Sequence, residues 1–148
     1  MNLLRMSGGH DEVPWEAECR MAVLKDPHNP KTWADLGSVY CLFLKPREAV
    51  DAFSTALLLS PGSADLWRSL GDAYRQLKLH DLASASYREA MRLVPDHAEA
   101  WIGFGHTYRD VNQPEDSALA YRTAAVLDAQ SDRTWTLIAT AERNSTRH

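Results

Sequence analysis

Arg75, Arg109 and Arg143 stand 34 residues apart. A guanidinium offers a planar fork of N–H donors that matches a carboxylate in two parallel hydrogen bonds. Three at a fixed interval form a ladder if copies of one helix stack side by side, about 10 Å apart. The chemistry that suits such a row is recognition of an acidic, carboxylate-bearing segment. The competing use is internal pairing with Asp72, Asp110 or Glu142, since exposed ion pairs are common and weak. Both readings stay open at the level of sequence.

Other reactive residue types form no constellation. His10, His28, His80, His97, His106 and His148 include no pair at i, i+4, so no metal-ligand spacing arises. Cys19 and Cys41 make neither a disulfide framework nor a structural zinc site. Cys19 reads as core packing and Cys41 as an inert, partly buried thiol. No phosphate-binding loop, H-E-x-x-H or G-x-S-x-G occurs, and Gly103-Phe104-Gly105 reads as packing within a helix. No catalytic residue, metal or cofactor is expected, and the chain reads as non-enzymatic.

With 148 residues and a net charge of −4, the chain suits one domain and argues against broad nucleic-acid binding, which rests on cation–phosphate contacts. Its longest apolar runs, such as Ala56-Leu57-Leu58-Leu59, are too short for membrane insertion. Met1-Asn2-Leu3-Leu4-Arg5-Met6 carries too few apolar residues for a secretory leader, so the cytoplasm is the expected compartment.

The elements that must position the arginines follow from an internal repeat. Trp33, Trp67, Trp101 and Trp135 are each 34 residues apart. In step with them run Leu36, Leu70, Phe104 and Ile138, then Gly37, Gly71, Gly105 and Ala139, then Tyr40, Tyr74 and Tyr108. Further on recur Ala49, Ala83 and Ser117, then Phe53, Tyr87 and Tyr121, then Ala56, Ala90 and Ala124. Trp33, Leu36, Gly37 and Tyr40 fall at i, i+3, i+4 and i+7, one face of a helix. Ala49, Phe53, Ala56 and Leu57 mark a second helix. Pro46 and Pro114 read as its start, because proline is tolerated only in a first turn. Small residues on the facing helices let the two axes approach closely. Of 13 aromatic residues only Phe43 falls outside the frame, so the tryptophans read as packing.

This pattern resembles the tetratricopeptide repeat family, W-x2-L-G-x2-Y…A-x3-F…P over 34 residues. The resemblance implies an all-α, right-handed superhelical solenoid of antiparallel helix pairs, about eight helices in all. It divides the chain into a flexible N-terminus (1–12), a half-repeat helix and turn (13–29), repeats at 30–63, 64–97 and 98–131, and a capping helix and tail (132–148). Departures are Trp15 and Ser117 for alanine, Ala129 for proline and Glu142 for tyrosine.

The resemblance also implies a concave groove lined by the first helix of each repeat. Carried over by frame, its partner-binding positions include Ser38, Cys41, Arg68, Asp72, Arg75, Ile102, His106, Arg109 and Arg143. Ala34, Cys41, Leu42 and Ile102 would supply apolar spots. Some family members grip a chaperone's C-terminal carboxylate with lysine, asparagine, asparagine, lysine and arginine. Those positions hold Ala34, Ser38, Ser69, Glu99 and Gly103 here, and none matches. The expected function is a protein–protein interaction module, an adaptor or scaffold for a protein or peptide of acidic character. The alternative is a dedicated chaperone for one client. Half-units at either end lead us to expect a homo-oligomer through the end units.

Overall fold

Capping side chains set where the first helix of each repeat starts. The computed structural model describes residues 14–130 and 132–147; the expected flexible N-terminus, His10 and His148 lie outside the described residues. Eight helices follow in order: α1 Pro14–Lys25, α2 Pro30–Leu42, α3 Pro46–Leu59, α4 Ala64–Gln76, α5 His80–Leu93, α6 Ala98–Asp110, α7 Pro114–Leu127 and α8 Asp132–Ser145. Asn29, Ser63 and His97 each accept a backbone N–H from the first turn of α2, α4 and α6. Such caps satisfy donors that a helix start otherwise leaves orphaned. Pro46 and Pro114 open α3 and α7, as their fixed φ and missing N–H allow.

The turns within each helix pair are also in register. Leu44, Lys78 and Asn112 adopt φ of 55°, 62° and 61°. The next residue in each case donates its N–H five residues back, from Lys45 to Tyr40 O, Leu79 to Tyr74 O and Gln113 to Tyr108 O, at 2.8–3.0 Å. This 6→1 bond is the closing device of a helix that ends on a left-handed residue.

The hairpins α2–α3, α4–α5 and α6–α7 stack as an all-α, right-handed solenoid, and α2, α4 and α6 run side by side along one wall. Ala49, Ala83, Ser117, Ala56, Ala90 and Ala124 lie fully buried between the helices of their pairs. Beside them an aromatic ring from each second helix presses on a glycine of the first. A Cβ placed on Gly37, Gly71 or Gly105 would meet the ring of Phe53, Tyr87 or Tyr121 at 2.7, 2.7 and 2.5 Å, closer than side chains tolerate. Gly103 meets Tyr87 from the following repeat, so that ring is gripped from two sides. Three tryptophans bolt each first helix to the turn before it, Trp33 to Pro27 O, Trp67 to Pro61 O and Trp101 to Pro95 O, through indole N–H bonds of 2.9–3.3 Å.

The departures from the repeat are absorbed locally. Ser117 donates its hydroxyl to Gly105 O at 2.9 Å, so the buried oxygen is paired. Glu142 pairs with Arg122 of α7. The aromatic frame needs two corrections. Trp15 and Trp135 are 58% and 57% exposed, because α1 and α8 each pack on a neighbour at one side only among the described residues. Trp15 instead leans on Phe43, the residue outside the frame, with ring centroids 6.5 Å apart. Glu16, though charged, is buried and accepts from Lys45 Nζ at 2.7 Å, fixing α1 to the turn after α2.

Gly71→Val is expected to lower unfolding free energy by about 1–3 kcal/mol, the range for overpacking a core. Urea denaturation followed by circular dichroism measures it. Gly62→Ala, whose added carbon meets nothing within 4 Å, is the silent control.

Candidate functional site

The wall formed by α2, α4 and α6 encloses a cleft of about 500 Å³, bounded at its far side by Arg133 of α8. First helices present i, i+3, i+4 and i+7 positions to their own partner, which leaves the intervening side chains to face the cleft. Of the residues singled out by frame, the cleft brings together Ser38, Cys41, Arg68, Asp72, Arg75, Ile102 and His106. Arg109 and Arg143 lie outside its lining, and Arg143 stands exposed in the last turn of α8. Ile102 is 3% exposed and packs with Tyr121 and Ile138, so its bulk belongs to the core and it offers no apolar spot to a partner.

The three arginines do not form a free ladder. Arg75 Nη1 donates to Asp110 Oδ2 at 3.2 Å, and Arg109 Nη2 lies 3.7 Å from Asp110 Oδ1, so one carboxylate stands between two guanidiniums. The side-chain directions of a helix place Asp110 within reach of the repeat before it, which the linear order does not display. Arg68 binds Asp72 Oδ2 at 2.8 Å within α4, and Arg133 reaches Glu99 at 3.5 Å across α8 and α6. Arg75 Nε is buried with no hydrogen-bond partner.

Two buried hydroxyls from the second helices bond side chains that line the cleft. Tyr87 of α5 donates to Asp72 Oδ1 at 2.5 Å, and Tyr121 of α7 bonds His106 Nδ1 at 2.6 Å. Burial and the nearby Asp72 carboxylate push the Tyr87 phenol far above its ordinary range. Phe53, at the same repeat position in α3, also borders the cleft but brings no hydroxyl. These three residues were legible as core positions only. The signal for their second role is the change from Phe to Tyr at one recurring position.

Burial lowers the His106 imidazole to about 4, helped by the charges of Arg109, Arg75 and Arg133. It is therefore neutral at pH 7 and held in place by Tyr121. Burial likewise pushes the Cys41 thiol up to about 11, with Asp72 adding to the effect, so it stays protonated. A protonated thiol is a poor nucleophile and a poor metal ligand. Ser38 is exposed and donates back to Ala34 O at 3.0 Å. Among the described residues no group of three or more His, Cys, Asp or Glu could hold a metal ion, and no helix is long and apolar enough to cross a membrane. The arrangement is a hydrogen-bonding and ion-pairing surface.

A family model described as tetratricopeptide repeat matches residues 64–107. Among solved structures, that of MamA is similar at a TM-score of 0.75 and 21% identity, covering 88% of this chain and 77% of that one. The first tetratricopeptide repeat domain of Spaghetti (RPAP3), bound to the HSP90 peptide SRMEEVD, is similar at 0.73 and 17% identity over 82% of this chain and 96% of that one. The Arabidopsis OM64 tetratricopeptide domain follows at 0.72 and 17%, over 77% and 94%. No curated protein sequence matches the chain. At these identities the structural likenesses show the fold.

The His106 pKa fixes a pH dependence. Its folded value lies below the ordinary imidazole value of 6.5, so its contribution to stability is full above pH 6.5 and is lost as the pH falls from there through about 4. The melting temperature of the wild type is expected to fall more steeply over that window than that of His106→Asn, which keeps an acceptor for Tyr121. NMR titration of the imidazole should give a midpoint near 4; a midpoint near 6.5 would contradict the burial argument.

Proposed function

We propose that this tetratricopeptide-repeat chain is a non-enzymatic protein–protein interaction module that holds an extended segment of a partner in the cleft along α2, α4 and α6. One observation carries the reading. A continuous cleft of about 500 Å³ crosses three successive repeats and is lined by side chains already fixed by internal hydrogen bonds. Preorganised polar groups lower the entropy lost when a partner is immobilised, so such a wall favours binding. The printed description of the RPAP3 domain, which carries a bound peptide, supports peptide binding as a use of this fold.

The partner segment carries carboxylates. Burial is the main cause of the lowered His106, and Arg109, Arg75 and Arg133 add a positive field to it. Asp110 and Glu99 offset only part of it. The segment is not gripped by the chaperone-tail clamp, since Ala34, Ser38, Ser69, Glu99 and Gly103 cannot supply that set of charges and amides.

Fluorescence anisotropy with labelled acidic heptapeptides tests the reading. Binding is expected to weaken about tenfold between 50 and 300 mM salt, as screening predicts for ion-pair contacts. In the Arg75→Ala, Arg109→Ala double variant it should weaken about as much. Affinity unmoved by salt and by the double variant would remove the acidic-partner reading. A dedicated chaperone would use the same cleft but form a one-to-one complex that shields its client from proteolysis; an adaptor would hold several partners at once.

A further inference from the structure

The seams between successive repeats carry a recurring set of their own, beside the turn inside each repeat. In the seam between α1 and α2 the set is Glu16, Arg20, Tyr40 and Lys45. The Glu16 carboxylate is buried there and accepts from Lys45 Nζ at 2.7 Å. Burial raises the Tyr40 phenol, and the charges of Glu16, Arg20 and Lys45 act on it as well. Two periods further on, the seam between α5 and α6 holds Ser84, Arg88, Tyr108 and Gln113 at the same four positions. The arginine and the tyrosine recur, but the acid and its lysine do not. The other two seams are settled internally. Between α3 and α4 the acid's position is Val50, which packs on the core. Between α7 and α8 the arginine's position is Arg122, which pairs with Glu142. The α5–α6 seam keeps an arginine and lacks the acid.

A pocket of about 410 Å³ opens at that place. Glu16 carries its carboxylate on two methylenes, whereas Ser84 stops at Oγ. Ser84, Arg88, Tyr108 and Gln113 all line the pocket, and their side chains form no hydrogen bond or ion pair among the described residues. Arg88 rests over the Phe104 ring, 5.7 Å from its centroid, and Phe104 meets Tyr108 edge-on at 4.8 Å. A guanidinium seated on a ring keeps its N–H edge available to an acceptor. His80 lines the same pocket, and its buried Nδ1 has no hydrogen-bond partner. Asp81 is the one carboxylate in the lining; it stands exposed in the first turn of α5 and forms no ion pair with Arg88. None of these residues lines the concave cleft.

We infer that the α5–α6 seam is a binding site for a single carboxylate on a short aliphatic stem, the group that Glu16 supplies from within in the α1–α2 seam. Arg88 receives the carboxylate through its planar fork of donors. Ser84, Tyr108 and Gln113 donate to the lone pairs that remain. The pocket's size is that of a small-ligand site. Asp81 limits the charge: one negative group fits beside Arg88, and a second meets a like charge. A doubly charged phosphate is therefore disfavoured. A free acid and a glutamyl side chain present the same group, and the seam recognises what they share.

Titrations of the full chain followed by amide NMR, at constant ionic strength, test this. The probes are butyrate, its neutral isostere butyramide, inorganic phosphate and acetyl-Gly-Glu-Gly amide. Butyrate is expected to shift the resonances of Ser84, Arg88, Tyr108 and Gln113 to saturation. It should bind about tenfold tighter than butyramide, as hydrogen bonds to a charged acceptor imply, and tighter than phosphate. Arg88→Gln should weaken butyrate about tenfold and leave butyramide unchanged. Ser84→Glu returns the acid to the seam and should abolish butyrate binding. Asp81→Asn should narrow the gap between phosphate and butyrate. Arg75→Ala with Arg109→Ala should leave butyrate binding as it is, which separates this site from the cleft. If Ser84→Glu does not fold, Arg88→Gln, at an exposed side chain, decides. Tighter binding of the glutamyl peptide assigns the carboxylate to a partner's side chain, and tighter binding of butyrate assigns it to a free acid. Equal affinity for butyrate and butyramide, phosphate binding at least as tight as butyrate, or wild-type butyrate binding by Arg88→Gln overturns the inference.

Discussion

The contact between a bare glycine backbone and an aromatic ring governs this structure. At Gly37, Gly71 and Gly105 the ring of the paired helix lies where a side chain would be. That closeness brings the helix axes together and buries Ala49, Ala83 and Ser117 completely. It also aims the far end of each ring at the concave wall. A wider separation would leave a cavity beside the alanines and withdraw the hydroxyls from Asp72 and His106. Core packing and surface chemistry are therefore set by one contact, repeated three times.

The cleft inherits its fixed charge states from that packing. Tyr87 and Tyr121 are core residues whose oxygens are delivered to Asp72 and His106. His106 is neutral because it is buried among arginines, and Cys41 is protonated because it is buried beside a carboxylate. A partner meets a neutral imidazole at His106 and a protonated thiol at Cys41 near neutral pH. The arginines are drawn into pairs across repeats, with Asp110 held between Arg75 and Arg109. The row of guanidiniums thus becomes a network with a modest positive excess.

The flanking helices show what the repeat pattern does not control. Trp15 and Trp135 keep their places in the frame yet remain more than half exposed. An in-register residue is buried only when both neighbouring helices are present. Where the frame is broken, the chain compensates with polar chemistry. Ser117 pairs its buried hydroxyl with Gly105 O, and Glu142 finds Arg122.

The sequence by itself determined the helices, their starts and their pairing. A 34-residue period with proline and small residues at fixed offsets admits one packing of one hairpin, and periodicity is a local property of the chain. The resemblance, carried over by frame, also assigned Ser38, Cys41, Arg68, Asp72, Arg75 and His106 to one groove, and these line the cleft. Only the tertiary structure decided what those side chains do. It turned Arg75 toward Asp110, sank Ile102 into the core, brought Arg133 to Glu99 and bonded two buried phenols to Asp72 and His106. Each of these joins residues on different helices, some in different repeats. Such contacts depend on distances between stacked helices, and those distances are set by how closely a ring can approach a glycine, which no linear spacing records.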